Sequence, residues 1–289
     1  MVESPSVYTV ESFTASDGYR LQYRRYHPSV NGWGTPRARI VCLHGIQSHA
    51  GWYDYSCTRL CQAGFLVDFL DRRGSGMNHQ DRGDVPSYRQ LLDDVAQFLT
   101  TTRADSALPK FLLAISWGGK LALGLTRAGT ASLQGIVLLC PGFFPVVSPT
   151  LRESLAIGWA RLVAPRRRFS IPLNDPQLFT ESPRWQQFIR EDKLSLHEAT
   201  ARLLTESVRL DRYVRRAGRH CATPVLLMLS EKDRIINNPR TRRYVEAFAA
   251  PDKEIIEYPG AQHTLEFEPK PEIFLTDLIG WLERHIRIA

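Results

Sequence analysis

Phe111-Leu112-Leu113-Ala114-Ile115-Ser116-Trp117-Gly118-Gly119-Lys120-Leu121 sets one serine between an apolar run and a helix-forming run. Small residues stand two places before and two places after it, at Ala114 and Gly118. A tight strand-to-helix turn of this kind lifts the serine hydroxyl clear of the backbone, and a larger side chain at either flanking position would collide across the turn. Ala114 departs from the pattern Gly-x-Ser-x-Gly by one methyl group. The following helix aims unpaired N–H groups at an oxygen above the serine, so the Trp117 amide is a candidate oxyanion donor. The alternative is that Ser116 only caps that helix.

Outward from this point the chain alternates strand and helix. Tyr8 to Phe13 and Tyr19 to Tyr26 read as a hairpin around Asp17-Gly18. Short β-branched and apolar runs follow at Ala38 to Leu43, Phe65 to Leu70, Phe111 to Ile115, Gly135 to Cys140, Pro224 to Leu229 and Glu254 to Tyr258. Helical spacing occupies Tyr53 to Ala63, Ser87 to Thr101, Lys120 to Ala128, Thr241 to Ala250 and Pro271 to His285. Eight strands with interleaved helices predict a mostly parallel sheet covered by helices on both faces. The alternation breaks after the sixth strand. Residues 1–142 and 221–289 are therefore expected to form the core, and residues 143–220 a helical cap over the carboxyl ends of the strands, where open α/β sheets bind ligands.

Composition excludes several classes. The chain has 289 residues with 43% hydrophobic side chains, enough for one large core. No run of about 18 apolar residues would span a membrane, and Met1 to Thr9 lacks a secretory apolar stretch. The 5 cysteines fit no disulfide framework or metal-ligand spacing, which suits a reduced, cytoplasmic chain. Net charge is +7, and most of it falls in residues 146–220, with 14 basic against 8 acidic side chains. Arg166, Arg167 and Arg168 are its densest patch. Without zinc-finger spacing or an aromatic ladder beside them, a nucleic-acid partner is not expected. A solvated surface, or attraction of an anionic substrate or membrane, accounts for the charge.

The partners of a serine nucleophile can be sought by position. The earlier strand ends in Leu43-His44-Gly45-Ile46, where Gly45 lets the backbone approach the site and the Ile46 amide becomes a second oxyanion donor. His44 is expected to hold that loop through its ring nitrogens. His49, Trp52 and Tyr53 are candidates for the substrate pocket. A base should lie on a loop after a late strand, and His263 does; its orienting acid should follow the strand before, where Asp233 is preferred to Glu231. The order Ser116, Asp233, His263 is that of a nucleophile elbow. No metal or cofactor is called for.

Taken together, Leu43-His44-Gly45, Leu70-Asp71-Arg72-Arg73-Gly74-Ser75-Gly76, Ile115-Ser116-Trp117-Gly118-Gly119 and Ser230-Glu231-Lys232-Asp233 with His263 resemble the α/β-hydrolase superfamily. Within it the chain is similar to the monoacylglycerol lipase, lysophospholipase and serine aminopeptidase-like group. The resemblance implies an α/β-hydrolase fold, a helical cap after the sixth strand, and a structural role for Asp71. It implies a serine hydrolase acting on a carboxylic ester, foremost a lipid-like one such as a monoacylglycerol or lysophospholipid. A small-ester carboxylesterase, a carbon–carbon bond hydrolase, a proline-iminopeptidase-like aminopeptidase and a non-catalytic binding protein stay open. The cap stripe Phe143, Phe144, Leu151, Leu155, Ile157, Trp159 and Leu162 would cover an acyl groove, touch a membrane surface transiently, pack on the sheet or serve a dimer surface.

Overall fold

Ala38–Leu43 and Phe65–Leu70 contain no exposed residue, as strands covered on both faces require. They are the third and fourth strands of a computed structural model that describes residues 7–101, 108–129 and 132–286. In chain order the first half comprises β1 (Thr9–Thr14), β2 (Arg20–Tyr26), β3 (Ala38–Leu43), α1 (Asp54–Gln62), β4 (Phe65–Leu70), α2 (Tyr88–Thr101), β5 (Lys110–Ile115), α3 (Gly118–Ala128) and β6 (Gly135–Leu139). There follow α4 (Leu151–Val163), β7 (Arg168–Ser170), α5 (Pro183–Glu191), β8 (Glu198–Thr200) and α6 (Ala201–Val214), then β9 (Val225–Ser230), α7 (Asn238–Glu246), β10 (Lys253–Tyr258) and α8 (Glu272–His285).

Eight strands form one sheet in the order β1-β2-β4-β3-β5-β6-β9-β10. β2 runs antiparallel to β1 and β4; the remaining pairs are parallel. This is the α/β-hydrolase fold with a helical insertion after the sixth strand. Parallel pairing puts the carboxyl ends of β3, β5, β6, β9 and β10 on one edge, so loops distant in sequence meet there.

Phe65-Leu66-Val67-Asp68-Phe69-Leu70 carries an acid in the middle of an apolar strand. Asp68 is fully buried and receives Arg25 Nε at 2.8 Å and Arg39 Nε at 2.7 Å, from strands β2 and β3. The charge is tolerated because it is paired and hydrogen-bonded on both sides.

The insertion contains a small antiparallel pair, β7 with β8, beside its helices. Each strand has three residues, too few to show a period in sequence. α4 opens on a capping box between Thr150 and Glu153. It buries Ile157 and Ala160 but leaves Leu151 at 78%, Trp159 at 66% and Leu162 at 79% exposed. The apolar stripe expected over the cap therefore divides. Phe143 and Phe144 pack edge-on against Tyr244, whereas the outer face of α4 meets solvent. Among the described residues no helix is long and apolar enough to cross a membrane.

Candidate active site

The chain turns sharply from β5 into α3 at Ser116, whose φ of +50° lies in the left-handed region that disfavours a side chain. Surrounding hydrogen bonds hold it there. Ser116 N donates to Leu139 O at 2.9 Å, and Ser116 O accepts from Gly142 N at 2.8 Å and Gly119 N at 3.0 Å. A Cβ at Gly118 would stand 2.6 Å from Leu43 O and 2.8 Å from His44 O, so α3 can start this close to β3 only with glycine in that place.

His263 follows β10, and Asp233 follows β9. His263 Nε2 lies 3.0 Å from Ser116 Oγ, and His263 Nδ1 lies 2.6 Å from Asp233 Oδ2. A ring nitrogen this close to a carboxylate carries the proton, which leaves Nε2 to accept from the serine hydroxyl. Asp233 Oδ1 accepts from Ile235 N at 2.8 Å and Ile236 N at 3.1 Å, which fixes the carboxylate so that Oδ2 faces the imidazole. Both side chains are nearly inaccessible to solvent. Glu231, the alternative acid, points elsewhere and accepts from Gly260 N at 2.7 Å.

Ile46 and Trp117, the residues whose amides are expected as oxyanion donors, lie beside Ser116. Both residues line the same cavity as Ser116, and neither amide donates to a backbone carbonyl among the described residues. Gly45 brings this loop close: a Cβ there would lie 3.3 Å from Ser116 Cβ. His44 spends both ring nitrogens. Its Nε2 accepts from Arg72 N at 2.9 Å, so its Nδ1 donates to Gly45 O at 2.7 Å. Burial, then the nearby Arg72 charge, holds its pKa well below the ordinary histidine value. Asp71 braces the neighbouring loop by accepting from Ala50 N and Met77 N, each at 2.8 Å. A Cβ at Gly76 would fall 2.2 Å from Asp71 Oδ2.

His49, Trp52 and Tyr53 are not among the residues lining the cavity at Ser116. His49 Nε2 and Trp52 Nε1 both donate to Asp192 Oδ2 at 2.8 Å, and Ser195 Oγ donates to the same atom at 2.6 Å. Burial would raise the Asp192 carboxyl, but these hydrogen bonds outweigh it and hold the pKa below the usual carboxylate range. Asp192 thereby ties the insertion to the loop before α1. Tyr53 stacks on Phe69 and donates to Ser48 Oγ. Trp52 walls a separate groove with Trp185, Phe188 and Phe267. In sequence, Asp192 looks like one more charge at a helix end, and nothing local marks it as a hub.

Above Ser116 lies a cavity of about 600 Å³, within the usual range for a small-molecule site. Ile157, Ile171, Leu173, Leu204 and Val208 make its walls apolar, and α4 and α6 cover it. Trp117 Nε1 donates to Ser207 Oγ on α6 at 2.8 Å, joining the turn at Ser116 to the insertion. Lys120, Arg161, Arg209 and Arg212 also line the cavity, together with Asp211, which is 2.6 Å from Lys120. Cys140 approaches Asp233 and His263 closely enough for three ligand atoms to lie within 4.8 Å of one another. Their chemistry does not suit a metal. His263 and Asp233 are bonded to each other, and burial, then the Asp233 charge, pushes the thiol pKa well up, so the sulfur keeps its proton.

Residues 34–270 match the model of the family described as serine aminopeptidase, S33. The chain is 25% identical over 281 residues to a monoacylglycerol lipase of Mycolicibacterium smegmatis, covering 95% of this chain and 97% of that protein. It is 26% identical to a monoglyceride lipase of Rattus norvegicus, covering 95% and 90%. Among solved structures, a soluble variant of the Saccharomyces cerevisiae monoglyceride lipase superposes with a TM-score of 0.84 at 20% identity, covering 100% of this chain and 98% of that one.

Proposed function

The chain belongs to the serine aminopeptidase S33 family and is a serine hydrolase of the esterase and lipase class, and from that premise we propose that it cleaves lipid-like carboxylic esters through an acyl-enzyme on Ser116. Monoacylglycerols and lysophospholipids are the substrates this reading favours. One observation carries it: the Ser116–His263–Asp233 hydrogen-bond relay opens into an apolar cavity of about 600 Å³.

The hydrogen-bond relay supports one sequence of steps. His263 Nε2 takes the Ser116 proton as the oxygen attacks the ester carbonyl. Asp233 keeps the imidazole in the receptive tautomer and offsets its positive charge. The Ile46 and Trp117 amides receive the oxyanion. His263 then gives its proton to the departing alcohol, and water repeats the sequence to release the fatty acid. Residues 143–220 act as the cap that closes the acyl cavity.

Charge speaks against an aminopeptidase. A substrate amino terminus needs an unpaired carboxylate, and the acid lining the cavity, Asp211, is taken by Lys120. Glu181, Glu191 and Glu198 are not among the lining residues.

The exposed apolar face of α4 suits contact with a lipid surface, from which a single-chain lipid would enter. The described cysteines are free and buried, in keeping with a reducing, cytoplasmic setting. Replacing Trp159 by Ser should weaken sedimentation with vesicles and leave hydrolysis of a soluble ester unchanged.

A fluorophosphonate probe should modify Ser116, and Ser116→Ala should abolish both labelling and turnover. Long-chain monoacylglycerols and lysophospholipids should be hydrolysed with higher kcat/KM than p-nitrophenyl acetate or aminoacyl amides. Labelling at another serine, or preference for aminoacyl amides, would refute the reading.

A further inference from the structure

Arg72 carries a buried charge with no carboxylate in ion-pair contact among the described residues. It follows Asp71 in the loop after β4 and is 6% exposed. Its Nη2 donates to Ile46 O at 2.8 Å and approaches Ser75 Oγ at 3.4 Å. Its guanidinium carbon lies 5.0 Å from the centre of the Trp117 ring. Its Nε is buried with no acceptor. Other arginines of the core are treated differently. Arg73 pairs with Asp94 and Asp17, and Arg25 and Arg39 share Asp68. No carboxylate stands in ion-pair range of Arg72 among the described residues, and the Asp71 oxygens are occupied by the Ala50 and Met77 amides. Burial, only partly opposed by the Asp71 charge, lowers the Arg72 pKa to about 10, which still leaves it cationic at neutral pH.

A guanidinium in the interior without an ion pair weakens the folded state. Its contacts show what it does there. The two residues it holds, Ile46 by the carbonyl and Trp117 by the ring, both line the cavity at Ser116 and are the two whose amides are assigned above as oxyanion donors. A negative charge appears between those amides only while the tetrahedral intermediate exists. A fixed cation behind them stabilises that charge with no rearrangement at the moment of reaction.

We propose that Arg72 is a positioning residue for the oxyanion site, fixing Ile46 and Trp117 and supplying a positive charge that no ion pair neutralises before the tetrahedral oxyanion forms. This rests on the reading of Ser116 as nucleophile. The role also explains a polar side chain that the loop does not need for its own shape, since Asp71 and His44 already brace it.

The test compares Arg72→Met, Arg72→Lys and Arg72→Gln with the wild type on p-nitrophenyl butyrate. It reads kcat, KM, melting temperature and the Ki of an alkyl boronic acid, whose tetrahedral adduct imitates the intermediate. Arg72→Met should lower kcat roughly 10- to 100-fold with KM within about twofold, and weaken the boronic acid by a matching factor. Its melting temperature should not fall, because an unpaired buried charge has been removed. Arg72→Lys should regain most of the rate. Arg72→Gln keeps a donor for Ile46 O without the charge and should stay slow. A kcat for Arg72→Met within about twofold of wild type overturns the proposal. So does a loss that follows the melting temperature and is rescued by Gln as well as by Lys. Should Arg72→Met fail to fold, equal rates for Lys and Gln overturn it. A wild type that neither turns over esters nor reacts with fluorophosphonate overturns the hydrolase reading and this proposal with it; an active wild type with unaltered variants overturns this proposal alone.

Discussion

Glu266 should make the stability of the protein fall as pH rises. It lies three residues beyond His263 in the same loop, is 5% exposed, and meets α1 through Ser56, whose amide donates to Oε1 at 3.1 Å and whose hydroxyl contacts Oε2. Burial raises its pKa from an ordinary 4.5 to about 7. The folded chain therefore holds a proton over a range where the unfolded chain has released it. The resulting stabilisation is fully present below about pH 4.5, shrinks as pH rises, and is gone above about pH 7. The interval from 4.5 to 7 corresponds to about 3 kcal/mol. Glu266→Gln reproduces the protonated acid: its amide can donate to Ser56 Oγ and its carbonyl can accept from Ser56 N. Urea unfolding at pH 5 and pH 8.5 should show a small difference between variant and wild type at the lower pH. At the higher pH the variant should be more stable by about 3 kcal/mol. Turnover of a soluble ester at neutral pH should change little, because the Glu266 carboxyl bonds to Ser56 and the His263 ring to Asp233 and Ser116. A variant equally displaced at both pH values, or less stable at pH 8.5, would refute the reasoning.

Asp233→Asn should leave the melting temperature almost unchanged and lower kcat by about 10³- to 10⁴-fold, since the imidazole loses its orienting charge and tautomer. Steady-state kinetics with a p-nitrophenyl ester will read this. Gly118→Ala would drive a methyl group into the Leu43 and His44 carbonyls, and should destabilise the fold by about 1–3 kcal/mol while displacing Ser116. Calorimetry and fluorophosphonate labelling rate check the two effects. Asp192→Ala strands four donors, from His49, Trp52, Ser195 and the Leu194 amide, and should cost about 3 kcal/mol. Hydrogen exchange should then quicken across residues 192–197, where the insertion rests on the core.

The alternation of apolar runs with helical spacing made most of the core legible before any coordinates. Ala38 to Leu43 and Phe65 to Leu70 coincide with β3 and β4 to the residue. Strands covered on both faces are written as unbroken apolar runs, and the Gly and Pro turns that end them are equally local. The small flanking residues of Ser116 and the order Ser116, Asp233, His263 are likewise properties of the chain itself. The sheet then brings together loops separated by 147 residues at 3.0 Å between Ser116 and His263.

Other features had no local signature. His49 and Trp52 stand close to Gly45 in sequence, which suggested a pocket wall; 140 residues further on, Asp192 takes both of their N–H groups. The stripe on α4 shows in sequence that one side is apolar, but hydropathy does not say whether protein or solvent lies against it. Arg72 and Arg73 are neighbours of identical type, yet one pairs with Asp94 and the other holds Ile46 and Trp117. What the sequence alone determined is whatever depends on a residue and its near neighbours: strand, turn, elbow and chain order. Partners for buried charges, the facing of a helix and the lining of the cavity were decided by the tertiary structure, because each depends on atoms that only packing brings within a few ångströms.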